Sequence, residues 1–125
     1  MDDAGRRRPV VDLEHLTAIC GGDTREILGL VRLTVTIAGQ RVNGARAAAA
    51  RGDVGRVAEE LHDVKGMAAN AGAAELHGVA VEIEARLEGA SMEAVAAALA
   101  EIEAAVERLR AEADALHLRL RDREA

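Results

Sequence analysis

The sequence predicts an all-α protein, an antiparallel up-down four-helix bundle with a short N-terminal helix. Apolar residues recur three or four positions apart along four long segments, which is the pattern of amphipathic helices. No segment alternates with the period of two that marks a strand, and the single proline, Pro9, precedes all four segments. Connections of a few residues make successive helices antiparallel neighbours. We expect one helical domain over residues 10–120, a flexible leader over 1–9 and a charged tail over 121–125.

Polar caps and glycines bound the predicted helices. The predicted N-terminal caps are Asp12, Asp23, Asp53 and Ser91. The glycines at which helices are expected to end are Gly21 with Gly22, then Gly52, Gly72 and Gly89. Within the second helix, Gly39 and Gly44 each reduce helix stability by up to ~1 kcal/mol relative to alanine, so tertiary packing must stabilise this helix.

The composition excludes several classes of function. The 125 residues include no Phe, Tyr or Trp, which excludes base-stacking platforms and aromatic cages. The net charge of −6 argues against nucleic acid as a partner. No long apolar run follows Met1, no apolar run is long enough to span a membrane and there is only one cysteine, so we expect no secretory signal and a cytoplasmic protein. No Cys and His spacing typical of zinc and no phosphate-binding glycine loop occurs, so neither a metal nor a cofactor is expected.

His62 is the main candidate for chemistry. It is rotated by about 100° from Leu61 of the apolar stripe on the third helix, so its side chain is expected to face partly outward. The residues that share its face are Ala58, Glu59, Lys65, Gly66 and Ala69. Three of these five are alanine or glycine, so another protein can approach the imidazole closely.

Lys65 and Gly66 indicate a phosphate site beside this histidine. Lys65 is the only lysine among 16 basic residues, and its ammonium on a flexible stem suits a phosphate that binds and leaves. A glycine inside a helix costs about 1 kcal/mol relative to alanine, which makes sense if a partner must fit against the backbone. The pattern allows a phosphoryl group to be accepted on a ring nitrogen, with the remaining catalytic groups supplied by a partner. From these residues alone, an ordinary surface histidine is an equally good interpretation.

A family resemblance extends this interpretation. Residues 61–72, Leu-His-Asp-Val-Lys-Gly-Met-Ala-Ala-Asn-Ala-Gly, resemble the signature of histidine-containing phosphotransfer (HPt) domains of two-component phosphorelays. The shared pattern is His-x-x-Lys-Gly followed by small residues that end in glycine, and the resemblance covers about residues 11 to 110. Two residues depart from it: Leu61 stands where many members have a small residue, and Met67 where many have Ser or Ala. We expect Leu61 to belong to the core and Met67 to affect the choice of partner.

The resemblance implies a phosphorelay intermediate. His62 would accept a phosphoryl group from the aspartyl phosphate of one receiver domain and pass it to the aspartate of another, and Lys65 would stabilise the phosphohistidine. The implied partners are response-regulator receiver domains and a hybrid or cognate histidine kinase, with magnesium held by the receiver. The chain would be a monomeric phosphotransfer carrier rather than an enzyme with a complete active site. The implied docking surface consists of Ala58, Glu59, Gly66 and Ala69.

Other interpretations of the sequence stay open. A helical protein that is never phosphorylated would dock on a kinase or receiver and inhibit or scaffold it, with His62 incidental. A structural bundle would dimerise through its last helix, and a kinase dimerisation domain would need two long helices from each of two chains. Cys20 is expected to be a small buried hydrophobe. The side chains interpreted as structural or solvated are His15, His77, His117, Glu82, Glu84, Glu101 and Glu103.

Overall fold

The computed structural model describes residues 8–124, and five helices account for most of that range. They are α1 (Leu13–Cys20), α2 (Thr24–Ala50), α3 (Val54–Asn70), α4 (Ala74–Arg86) and α5 (Met92–Glu124). Helix α2 contacts α3 and α5, and α4 contacts the same two helices, so the four long helices form a ring of neighbours. Helix α1 packs against α2. The predicted all-α bundle with a short N-terminal helix is confirmed.

Local capping explains where the helices begin and end. All four predicted caps accept backbone hydrogen bonds, through a carboxylate at Asp12, Asp23 and Asp53 and through the hydroxyl at Ser91. At the end of α3, Gly72 has a φ of 66°, the left-handed conformation that glycine adopts without strain. Helix α4 begins without a side-chain cap, and α5 continues through residues 121–124, which were expected to form a tail.

Within the described range, none of the helices combines the length and the apolar character needed to cross a membrane.

The core lies along the axis of the bundle and determines how α3 is rotated. Most of the fully buried side chains are aliphatic, and the largest are Leu16, Leu61, Leu76, Ile83, Ile102 and Leu109. On α3 the buried apolar residues are Val57, Leu61, Val64 and Ala68, spaced three or four apart. Leu61 is therefore a core residue, as predicted. With Leu61 turned inward, the next residue along the helix must lie at the flank.

A buried carboxylate that the sequence did not predict lies between α2 and α3. The side chain of Glu60 is only 8% exposed, and its oxygens lie 3.2 Å from Arg41 Nη1 and 3.5 Å from Arg56 Nη2. A Cβ atom at Gly44 of α2 would overlap with Oε2 of this carboxylate. The glycine that weakens α2 therefore makes room for Glu60.

The chain before α1 runs along α4. The backbone N–H of Asp12 donates to the carbonyl of Gly72 at 2.8 Å. The guanidinium of Arg8 lies against Gly78 and 3.8 Å from the carboxylate of Glu82. This segment therefore covers part of α4. Residues 1–7, which make up most of the predicted leader, and residue 125 lie outside the described range.

Candidate functional site

His62 lies at the edge of α3 that faces α4. Its side chain is 64% exposed, which agrees with the orientation predicted from the rotation of the helix. Its Nδ1 atom lies 3.1 Å from Oε1 of Glu84 on α4. The imidazole is therefore open to solvent but held at one nitrogen by a neighbouring helix.

Glu84 joins His62 to Lys65. While Oε1 faces His62, Oε2 lies 2.9 Å from Nζ of Lys65, one helical turn along α3. Oε2 is shielded from solvent and has no hydrogen bond of suitable angle, so its contact with Lys65 is an ion pair. A single carboxylate thus contacts both the candidate acceptor and the candidate phosphate-binding residue.

The prediction that Glu84 lies on a solvated helix face is wrong. Its side chain is 30% exposed, because the buried Ile83 turns the next residue of α4 towards α3. The apolar pattern of α4 does not reveal which of its flanks faces α3, so spacing within α4 could not find this contact. One sequence feature could have indicated this contact, namely the isolated Lys65. A lysine in a partly buried site is usually paired with a carboxylate, which a neighbouring helix can supply.

The electrostatics of the site favour an ionised Glu84. The interaction with Lys65 is the largest influence and lowers the pKa of the Glu84 carboxyl below its ordinary value. Partial burial acts in the opposite direction and raises this pKa, while the hydrogen bond with His62 lowers it further. The net direction is downward, so the carboxyl is a carboxylate at neutral pH.

This charge state determines the role of each imidazole nitrogen. An ionised carboxylate has no proton to donate, so the hydrogen bond at 3.1 Å requires that Nδ1 of His62 donates to Oε1 of Glu84. In the neutral imidazole the other nitrogen, Nε2, then carries the lone pair. The contact with Glu84 therefore selects the tautomer in which Nε2 is the nucleophilic atom.

The four residues predicted to form a docking surface differ in accessibility. Gly66 and Ala69 are exposed, and a Cβ atom at Gly66 would meet no atom within 4 Å. Glu59 is exposed and lies 3.3 Å from Arg56, whereas Ala58 is half-buried against the core. Packing within the described chain therefore does not require a glycine at position 66.

An apolar groove lies between α2 and α3, on the flank of α3 opposite Glu84. Its volume is about 250 Å³, and it is lined by Leu30, Leu33, Thr34, Ile37, Met67, Asn70 and Ala71. Leu33 is 54% exposed although it is apolar. The groove places Met67, one of the two departures from the family pattern, on an accessible surface five residues along α3 from His62.

The remaining candidate groups are not brought to this site. Nε2 of His15 donates to the carbonyl of Asn70, His117 is exposed near the end of α5, and His77 is half-buried on α4. Cys20, which was predicted to be a small buried hydrophobe, is half-buried and packs against the edge of the core. Two other carboxylates expected to be solvated form ion pairs with α4 and α2: Glu101 with Arg86 and Glu103 with Arg46.

Within residues 8–124, no group of three or more metal-binding side chains converges.

The comparisons with known proteins agree with the fold and with the sequence pattern. The family model for the Hpt domain matches residues 29–112, which is more than half of the chain, so the chain belongs to the Hpt domain family. The match begins inside α2 and contains all of α3 and α4. It does not extend over residues 11–28, which the sequence resemblance also included. The protein is thus a histidine phosphotransfer carrier of two-component phosphorelays, a class that generally partners with receiver domains and histidine kinases.

One similar solved structure is histidine-containing phosphotransfer protein B (HptB) from Pseudomonas aeruginosa PAO1. The two chains are 22% identical, with a TM-score of 0.76, and the match covers 90% of this chain and 98% of that one. At this identity the likeness supports the shared helical fold. The search of curated proteins found no match.

Proposed function

We propose that His62 is the residue on which this carrier holds its phosphoryl group, and that Nε2 is the atom that bonds to phosphorus. The donor would be the aspartyl phosphate of one receiver domain and the acceptor the aspartate of another. The observation that supports this most strongly is the contact between Nδ1 and Glu84, which leaves Nε2 nucleophilic on a side chain that is 64% exposed. His15 is engaged with a backbone carbonyl instead.

The transfer step follows from this tautomer. The lone pair of Nε2 attacks phosphorus, the nitrogen–phosphorus bond forms and the bond from phosphorus to the aspartate oxygen breaks. The electron pair of the broken bond stays with the aspartate carboxylate. Nδ1 keeps its proton, so the imidazole ring becomes cationic while its hydrogen bond to Glu84 persists. No separate general base is needed, because the attacking nitrogen carries no proton.

Lys65 would neutralise the transferred group. In the unphosphorylated chain its ammonium is paired with Oε2 of Glu84 at 2.9 Å. A phosphoryl group on Nε2 brings additional negative charge within one helical turn of Lys65, and the flexible stem lets the ammonium turn from the carboxylate to the phosphoryl oxygens. Glu84 therefore holds Lys65 beside the acceptor until the phosphoryl group arrives.

The receiver domain would dock on the outer face of α3. The open space in front of Gly66 and the exposed Ala69 allow a close approach to the backbone beside His62. The apolar groove that contains Met67 offers additional area for contact on the α2 side. The receiver would supply the magnesium ion and its own aspartate, which this chain does not need to provide.

A phosphorylated receiver domain from the same organism tests this proposal. It is mixed with the wild type, with His62→Gln and with His117→Gln, which removes an exposed histidine far from the site. We expect acid-labile, base-stable phosphate on the wild type and on His117→Gln, and none on His62→Gln. Labelling of His62→Gln at the wild-type level would contradict the assignment.

The same experiment separates a relay from a binding protein. If several phosphorylated receivers fail to label the wild type although one of them binds it, the chain acts by docking, and the proposed transfer is wrong. The size of His62→Gln and its circular dichroism serve as controls, because a side chain that is mostly exposed contributes little to stability.

A further inference from the structure

We propose that Glu84 is a positioning residue for the outward transfer. By accepting a hydrogen bond from Nδ1–H, it keeps the phosphorylated ring of His62 in its protonated, transferable form up to a higher pH than an unassisted phosphohistidine would allow. This inference rests on the proposed role of His62. It differs from tautomer selection, because it concerns the phosphorylated ring and the step in which the phosphoryl group leaves.

The chemistry of the leaving group gives the reason. When Nδ1 is protonated, the nitrogen–phosphorus bond breaks with its electron pair returning to Nε2, and a neutral imidazole is released. At the same time phosphorus bonds to the carboxylate oxygen of the accepting aspartate. If Nδ1 has lost its proton to water, the same bond cleavage must release an imidazolate anion, which is a far poorer leaving group. The rate of outward transfer therefore depends on retention of the Nδ1 proton.

The geometry places Glu84 where it can retain that proton. Its Oε1 atom lies 3.1 Å from Nδ1, and the side chain is only 30% exposed, so its charge is less screened than that of a surface carboxylate. When Lys65 turns towards the phosphoryl group, Oε2 loses its cation. The protonated ring is then the positive group in contact with Glu84, and the hydrogen bond between them strengthens.

Within residues 8–124, no other charged side chain is hydrogen-bonded or ion-paired to the His62 ring, and most of those nearby have other partners. From α3, Glu59 pairs with Arg56, and Asp63 pairs with Arg41 of α2. On α4, Glu82 faces Arg8 and Arg86 pairs with Glu101 of α5, and in the turn after α4 Glu88 is exposed. Among the described residues, Glu84 is therefore the carboxylate whose removal should change the proton affinity of the phosphorylated ring.

The test uses a small-molecule phosphoryl donor, phosphoramidate, so that loading does not depend on any receiver. Wild type, Glu84→Gln and Glu82→Gln are loaded and titrated by ³¹P NMR from pH 5 to 10, with the resonance of the acceptor assigned by its absence in His62→Gln. Glutamine retains a hydrogen-bond acceptor without the charge, and Glu82→Gln removes a carboxylate that faces Arg8 instead. We expect the midpoint of the ring titration in Glu84→Gln to lie about one pH unit below that of the wild type and of Glu82→Gln, a tenfold difference in proton affinity.

Outward transfer to an unphosphorylated receiver should follow the same order. The rate for Glu84→Gln is expected to begin to fall about one pH unit below the pH at which the wild-type rate falls. Equal midpoints for wild type and Glu84→Gln would overturn the inference.

A measurement on the wild type alone covers the case in which Glu84→Gln does not fold. The ring midpoint of the loaded chain is compared in buffer and in urea, and we expect it to be higher in the folded chain. An unchanged midpoint would equally overturn the inference. If receivers fail to label the wild type, the proposed function is wrong, whereas the titration of the chemically loaded chain still decides the role of Glu84.

Discussion

A carboxylate lies at each edge of α3, and the two are in contrasting environments. At the α2 edge, Glu60 is almost completely buried, paired with two arginines and fitted against Gly44. At the α4 edge, Glu84 is partly open and contacts a histidine and a lysine. Both are acidic residues at helix interfaces, but only the second has partners whose charge or position can change.

If His62 is the acceptor, as we propose, one helix serves both stability and chemistry. Arginine stays charged at all accessible pH values, so the cluster around Glu60 has one stable arrangement. Histidine titrates near neutral pH, and lysine is a mobile point charge, so the cluster around Glu84 has alternative arrangements. We expect substitutions at the first edge to change stability, and substitutions at the second edge to change phosphotransfer.

Gly44→Ala should have the largest effect and should act on stability alone. Alanine is the better helix former, but its Cβ would displace the buried carboxylate of Glu60 from its arginines. We expect the free energy of unfolding to fall by about 2 kcal/mol. Urea unfolding followed by circular dichroism measures this, because the chain has no aromatic residue for fluorescence.

Gly39→Ala is the matched control on the same helix. A Cβ atom at Gly39 would meet no atom within 4 Å, so this substitution should raise the free energy of unfolding by up to about 1 kcal/mol. If both alanine variants gained stability, the packing role assigned to Gly44 would be wrong.

Gly66→Ala should separate stability from transfer at the other edge. The space in front of Gly66 is empty, so the free energy of unfolding is expected to rise by up to about 1 kcal/mol. The added methyl group would lie in the surface on which the receiver docks, and we expect the rate of phosphoryl transfer from the receiver to fall about tenfold. Gly29→Ala, at an exposed position on α2 with equally open space, should keep the wild-type rate. A wild-type rate for Gly66→Ala would remove Gly66 from the proposed docking surface.

The smallest effect concerns acid pH. Because folding lowers the pKa of Glu84, chiefly through Lys65, its ionised form stabilises the folded chain at neutral pH. This contribution is complete above the pKa of Glu84 in the unfolded chain and is lost as the pH falls through its lower pKa in the folded chain. We expect Glu84→Gln to reduce the free energy of unfolding by less than about 1 kcal/mol at pH 7, and we expect this difference to shrink as the pH falls into the acid range. A difference that grew as the pH fell would contradict the assigned direction of the shift.

Local signals in the sequence were sufficient to predict most of the fold. The caps at Asp23 and Asp53 act within a few residues of their own helix starts, and the positive φ of Gly72 ends α3 where the apolar stripe ends. The stripe through Leu61 and its neighbours also predicted that the next residue would be at the flank of α3. These features depend on contacts within one helix, so the order of residues along the chain reveals them.

The contacts of Glu60 and Glu84 could not be predicted in the same way. Each depends on the rotation and register of two helices, which are determined when the whole core packs. Glu84 looked like any acidic residue on an exposed helix face, and Gly44 looked like a defect in α2. Only the packing of the whole bundle brings Glu84 next to His62. The same packing fills the space in front of Gly44 with the carboxylate of Glu60.

The most direct test of the account is to locate the phosphorus atom on the imidazole. The chain is labelled with ¹⁵N-histidine and phosphorylated by a receiver domain, and the coupling between ³¹P and ¹⁵N is measured. We expect phosphorus on Nε2 of His62, with the proton retained on Nδ1 beside Glu84. Phosphorus on Nδ1, or on any other histidine of the chain, would contradict the central claim that Glu84 directs Nε2 to accept the phosphoryl group.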